Sequence, residues 1–204
     1  GQTGGTQPSG NYATLNPVVT GSYNSTTPAQ GNLALPSGTA ANRQCLGTMS
    51  FPSTGKYYFE CTNTVASSGG GIGISAYGSD IMNSGVSGPF YVYLATSGNK
   101  DSAGPVNVAY GATWDSNTET IGVAVDMTNG KIFFAKNNTW QASGDPVAGT
   151  NAAFTGISGT LFPWMGLNNT SGSTRNINLG QQPFVYTPPS GYSALCAPNL
   201  ATPT

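Results

Sequence analysis

Seven carboxylates, Glu60, Asp80, Asp101, Asp115, Glu119, Asp126 and Asp145, are the ordinary candidates for general acid or base chemistry in this 204-residue chain, which contains no histidine. A glycosidase would need two of them to converge at about 5 to 10 Å. Asp126 and Asp145 lie in turn sequences, where a carboxylate bonds nearby backbone N–H groups, and Glu60 lies inside an apolar strand. The carboxylates read as structural, so no residue is assigned a catalytic role. A carboxylate-based glycosidase stands third, behind two non-enzymatic readings.

Metal and phosphate chemistry fare no better. Zinc lacks its usual ligands, because there is no histidine and Cys45, Cys61 and Cys196 are far apart. At most one disulfide can form, and Cys61, inside the strand KYYFECTN (56–63), reads as a small buried hydrophobe. Gly69-Gly70-Gly71 lacks the strand, helix and lysine of a phosphate-binding loop. No cofactor and no metal site is expected.

Flat rings with polar tips stack and hydrogen-bond at once, which makes Tyr77, Tyr91, Tyr93, Tyr110 and Trp114 the candidate binding residues. The competing reading is that they fill the second sheet of a sandwich. The loops 76–88 and 97–104 are the expected recognition surface, since loops on a rigid scaffold carry function disproportionately.

The elements that must position these groups read as strands. In TIGVAVDMTNGKIFFAKNNTW (120–140), Ile121, Val123 and Val125 alternate with Gly122, Ala124 and Asp126, the period of a strand with one buried face. Asn129-Gly130 marks a reversal, Ile132 and Phe134 continue the apolar face, and Asn137-Asn138 marks a second turn before Trp140. An apolar seam of Ile121, Val123, Val125, Ile132, Phe134 and Trp140 is expected. Further strands are expected at 33–35, 56–63, 72–74, 90–94, 106–111, 161–167 and 174–179. Pro163 suggests an edge or a bulge within its strand. No segment sustains a helical apolar period over three turns, so the chain reads as an all-β, antiparallel two-sheet β-sandwich.

Only 6% of residues are charged, six Lys or Arg against seven Asp or Glu. Arg43, Lys56, Lys100, Lys131, Lys136 and Arg175 are scattered, which offers nucleic acid no cluster to neutralise phosphates. No apolar run of eighteen residues is present, so no membrane insertion by a helix is expected. An uncharged hydroxyl and amide surface suits an extracellular or assembled particle. Residues 1–10 hold four glycines and no aliphatic side chain, so they read as an arm that a neighbouring subunit orders through Gln2, Thr3, Gln7 and Pro8. An arm folded back on its own domain is the alternative.

The chain resembles the SPRY domain family, in the variety found in bacteriophage and prophage proteins. The resemblance rests on GKYYFECT (55–62), GIGI (71–74), YGATW (110–114), IGVAVDMTNGKIFFAKNNTW (121–140), SGDPVAGTNAAFTGISGTLFPWMGL (143–167) and INLGQQPFVYTPPSGYSAL (177–195), with NYATLNP (11–17) as the start. Asn137-Asn138 departs from the family's Asn-Gly, a change that Asn tolerates in a left-handed turn.

The resemblance implies a bent, concanavalin-like sandwich at 11–198, between the arm at 1–10 and a tail or linker at 199–204. It implies binding loops at one edge and no catalysis. It further implies a virion structural protein (head decoration, fibre or tail component) in an extracellular particle, whose partners are other virion proteins or copies of itself in a homo-oligomer. The alternative is an adhesin whose aromatic loops contact a host receptor or glycan.

Overall fold

The computed structural model describes residues 10–18, 27–36, 42–65, 69–79, 81–82, 88–103, 107–168 and 172–200. Among these residues thirteen strands run in chain order: β1 (Ala34–Pro36), β2 (Asn42–Leu46), β3 (Lys56–Val65), β4 (Gly71–Ala76), β5 (Phe90–Leu94), β6 (Asn99–Ser102), β7 (Val108–Ala109), β8 (Thr120–Asp126), β9 (Lys131–Lys136), β10 (Thr139–Trp140), β11 (Phe154–Thr155), β12 (Leu161–Asn168) and β13 (Thr174–Asn178). One sheet has the order β1-β13-β3-β8-β9-β10, with β11 also on β9, and the other has the order β2-β12-β4-β5-β6-β7. Every strand pair is antiparallel. This is the expected all-β, two-sheet sandwich.

Alternation explains the core. Tyr57, Phe59 and Cys61 of β3, Ile121, Val123 and Val125 of β8, and Ile132 and Phe134 of β9 face inward against Ile72, Ile74, Tyr93, Leu161, Met165 and Leu167 of the other sheet. Burying each large apolar side chain contributes about 1.5–3 kcal/mol. The thiol of Cys61 meets the sulfur of Met165 across the sheets at 3.7 Å.

The outward faces are covered too. β8 is buried along its whole length, because Tyr58, Ala124 and Phe133 pack under Phe184 and Tyr192 of the C-terminal segment. Trp140 packs with this outer cluster, not with the inward seam where the sequence placed it. β10 follows a tight turn, and the side chain of Trp140 emerges on the side of Phe133. On the second sheet Phe90, Val92, Leu46 and Trp164 form a comparable outer cluster.

Two further expectations change. The expected 97–104 loop holds a strand, since Asn99–Ser102 forms β6 between β5 and β7. Its polar residues make it a strand through backbone pairing alone. β12 is not an edge strand: it pairs with β2 on one side and β4 on the other. Pro163 is tolerated because its carbonyl accepts the Gly47 N–H at 2.7 Å just past the end of β2, so its missing N–H faces the place where that strand stops. A Cβ at Gly47 would lie 3.0 Å from the proline ring.

The 137–138 turn adopts the conformation that asparagine permits, with Asn137 at φ 47° and Asn138 at φ 66°. In the β8–β9 connection only Gly130 is left-handed, at φ 61°. Residues 12–16 border β2, with Leu15 bridged to Gly47 and Tyr12 to Cys196. The arm residues Gln2, Thr3, Gln7 and Pro8 lie outside the described residues.

Candidate functional site

β5 sets the site. Its alternation sends Phe90 and Val92 outward and Tyr91 and Tyr93 inward, toward the segment that crosses from β7 to β8. There Tyr93 meets Tyr110 edge-on at 5.4 Å, Trp114 at 5.8 Å and Phe134 at 5.5 Å between ring centroids. The Tyr93 hydroxyl donates to the Ala112 carbonyl, and burial holds its ionisation above the ordinary tyrosine value. Gln141 ties down the same segment by accepting the Ala112 N–H at 2.9 Å.

At the rim Tyr91 packs edge-on against Phe154 at 5.4 Å. Lys100 lies over the rings of Phe154 and Tyr110, at 5.2 and 5.7 Å, and donates to the Ala153 carbonyl at 2.6 Å. Such cation–ring contacts hold a lysine stem in place.

Of the sequence candidates, four are brought together and one is not. Trp114 and Tyr93 have no exposed surface, so a ligand arriving from solvent would not touch them. Tyr91 and Tyr110 are half-buried at the rim. Tyr77 stands apart on the turn after β4, 69% exposed. Part of the 76–88 loop lies outside the described residues. Lys100 and Phe154 complete the rim and were not anticipated, because nothing local in the sequence places them beside Tyr91.

Behind the aromatics lies a buried cation. Arg175 projects inward from β13, and its Nε donates to Asn63 Oδ1 at 2.8 Å. Nη1 donates to the Gly166 carbonyl at 2.5 Å and the Gly71 carbonyl at 3.4 Å, and Nη2 donates to Gly69 at 3.3 Å. One guanidinium therefore joins the first sheet to two strands of the second.

Four of the carboxylates are held by backbone N–H groups or by a lysine. Asp126 accepts the N–H and side-chain amide of Asn129 at 3.0 and 2.8 Å and pairs with Lys56 at 3.3 Å. Asp145 accepts the N–H groups of Val147 and Ala148, both at 2.9 Å. Glu119 pairs with Lys136 at 2.6 Å. Glu60 accepts backbone N–H groups of Val185 and Tyr186. Among the described residues no group of three or more Cys, Asp or Glu side chains gathers as a metal site. All three cysteines are free and buried. No described helix is long and apolar enough to cross a membrane.

A two-sheet sandwich with filled faces and an aromatic rim belongs to the class of β-sandwich interaction modules. A SPRY-domain family profile matches residues 56–182, and the chain belongs to the SPRY domain family, whose members are generally protein-interaction modules. It is similar to the SPRY domain of human HERC1, known from a crystal structure, with a TM-score of 0.61 and 15% identity over 83% of this chain and 99% of that one. At that identity the likeness concerns the fold. No curated protein sequence matches the chain.

Proposed function

We propose that this chain is a non-enzymatic structural protein of a bacteriophage virion, a head decoration, fibre or tail component, that presents its SPRY sandwich as a rigid interaction module. The observation that carries the reading is the local use of the groups that would otherwise do chemistry. Asp126, Asp145, Glu119 and Glu60 all hold backbone or a lysine, in a chain with 6% charged residues and no histidine. A body of this kind holds shape and offers contact surface but has few means of moving protons. The resemblance of NYATLNP and IGVAVDMTNGKIFFAKNNTW to the phage variety of the family supports the virion assignment, and the extracellular particle is the location that goes with it. Partners on this reading are other virion proteins or further copies of the chain, reached through residues 1–10. Deleting those residues should abolish incorporation into particles while the domain still folds. Normal incorporation of the shortened chain would end the assembly-arm reading.

A second reading, a receptor- or glycan-binding adhesin, draws on the 69% exposure of Tyr77 and the half-buried Tyr91 beside Lys100 and Phe154. On that reading, Tyr77→Ala or Tyr91→Ala weakens cell or glycan binding without a large fall in melting temperature. Unchanged binding in both variants removes it.

A further inference from the structure

On the outer face of the first sheet, β3 and β13 run beneath residues 181–185 and leave a concavity of about 330 Å3 that none of the aromatic rim lines. Its near wall is fixed by the sheet itself, since Asn178 Nδ2 donates to the carbonyls of Gln182 and Pro183 at 3.2 and 3.1 Å. At its base sits Glu60, 1% exposed. One carboxylate oxygen accepts the Tyr58 hydroxyl at 3.0 Å and the Tyr186 N–H at 2.9 Å, and the other accepts only the Val185 N–H at 2.7 Å. A carboxylate has about four acceptor positions, so one remains.

The carboxylate has donors but no counter-charge. Lys56 and Lys136 pair with Asp126 and Glu119, Lys100 and Lys131 end on the carbonyls of Ala153 and Gly149, and Arg175 is spent inside the sandwich. Arg43 is buried in β2, in the other sheet. A second acceptor lines the same concavity: Oδ1 of Asn176 is buried and receives no hydrogen bond. Leaving such an acceptor unpaired is costly, and a ligand with donors would recover that cost. The concavity therefore presents open acceptors among neutral amide side chains and no positive charge of its own. A sugar would bring hydroxyl donors but no charge, and the lining offers no aromatic ring on which it could stack.

We propose that this concavity receives a cationic donor, the ammonium or guanidinium end of a lysine or arginine side chain on a protein partner. The inference rests on the interaction-module reading and adds a second contact face, on the opposite side of the first sheet from the core. The side chain enters over Gln182 and Gln30, its charge settles against the free acceptor position of Glu60, and a second N–H goes to Asn176 Oδ1. A guanidinium fits this pair better than an ammonium, because its N–H groups diverge in a fixed plane.

The test is a titration of the isotope-labelled chain by NMR with methylguanidinium chloride and with n-butylammonium chloride, against glucose and sodium chloride. The backbone N–H signals of Val185 and Tyr186 and the side-chain amides of Asn176 and Gln182 are followed. Saturable shifts with both cations, tighter for methylguanidinium and absent with glucose and sodium chloride, are expected. Asn176→Ala should weaken binding about five-fold and Glu60→Gln should abolish it. The Asn176 side chain makes no hydrogen bond through Oδ1, so its variant keeps the test readable even where Glu60→Gln perturbs the fold. Shifts with glucose at the same amides, no saturation with either cation, or binding unaffected in Asn176→Ala would overturn the proposal. Such a result would leave the interaction-module reading in place, because that reading is tested separately through particle incorporation and the aromatic rim.

Discussion

The Arg175 guanidinium lies 4.4 Å from the centre of the Trp114 ring, and neither side chain has exposed surface. The ring covers one face of the cation while Asn63 and the carbonyls of Gly69, Gly71 and Gly166 take its N–H groups. A buried charge persists only when its donors are satisfied in this way. Its burial pulls the guanidinium below its ordinary ionisation value, with Cys61 and Asp115 acting against that. Arg175→Met should therefore lower stability by about 3–5 kcal/mol, because it strands the carbonyls that the fork now joins. Arg175→Lys should recover little of this, since an ammonium cannot reach several carbonyls in one plane and stack on a ring. Urea unfolding measures both, and a loss below 1 kcal/mol in Arg175→Met would show that the bridge between sheets carries little.

Two buried acids should drive stability in opposite directions with pH. Burial pushes Asp126 up, but the Asn129 amide and N–H and the Lys56 ammonium outweigh it, and its carboxyl ends below the ordinary value of 3.8. Asp126 therefore contributes stability above pH 3.8 that is lost as pH falls through its lower folded value. For Glu60, burial outweighs the bonds from Tyr186, Val185 and Tyr58, and its carboxyl ends above 4.5. The stability linked to Glu60 is fully present below 4.5 and is lost as pH rises through the folded value. Unfolding curves between pH 2 and 8 should show the acid limb flattened in Asp126→Asn and the fall above 4.5 flattened in Glu60→Gln. A wild-type to Asp126→Asn difference that stays constant from pH 6 to pH 2 would refute the first half.

How much of this was readable in the sequence depends on how local the cause is. The β8–β9 hairpin was legible because its alternation and its turn residues lie within twenty positions of one another. The burial of its outer face was not, because the cover, Phe184 and Tyr192, arrives from a proline- and glycine-rich stretch that reads as loop. β6 carried no signal, since Asn99-Lys100-Asp101-Ser102 is polar and owes its conformation to pairing with Tyr91, Val92 and Tyr93. Period two put Tyr91 and Tyr93 on one face, as found. Their unequal exposure comes from Tyr110, Trp114 and Phe134, which the fold closes over Tyr93. Arg175 looked like an ordinary polar residue of a short strand, and only the glycine carbonyls opposite it reveal its place.

The cysteines should be inert in the folded protein. Burial pushes the Cys45 thiol up to about 11 and the Cys61 thiol up to about 12, in each case against weaker opposing effects. Since the thiolate is the nucleophile, the reactive fraction of Cys61 at pH 7 lies about three orders of magnitude below that of a free thiol. Alkylation with iodoacetamide should label Cys61 and Cys45 only in denaturant, as peptide mass mapping can report. Labelling of Cys61 in the native protein at the rate of a free thiol would mean that the sandwich opens far more often than its packing suggests.

The turn at 137–138 gives the most direct check on backbone conformation. Asn138 sits at φ 66° and is exposed, and Asn137 at φ 47° also holds the start of β8, its Oδ1 accepting the Thr120 N–H at 2.9 Å. Left-handed backbone costs an ordinary residue about 1–2 kcal/mol, while glycine enters it freely and asparagine at reduced cost. Asn138→Gly, which restores the residue usual in the family, should therefore be neutral or stabilise by up to about 1 kcal/mol. Asn138→Thr should destabilise by about 1–2 kcal/mol, since a β-branched side chain is least tolerated there. The Asn137→Gly variant should lose stability despite its easier backbone, because the bond to Thr120 goes with the side chain. Thermal unfolding of the three variants should rank them in that order, with Asn138→Gly highest. If Asn138→Thr melts with the wild type, the left-handed turn is not the conformation this hairpin uses.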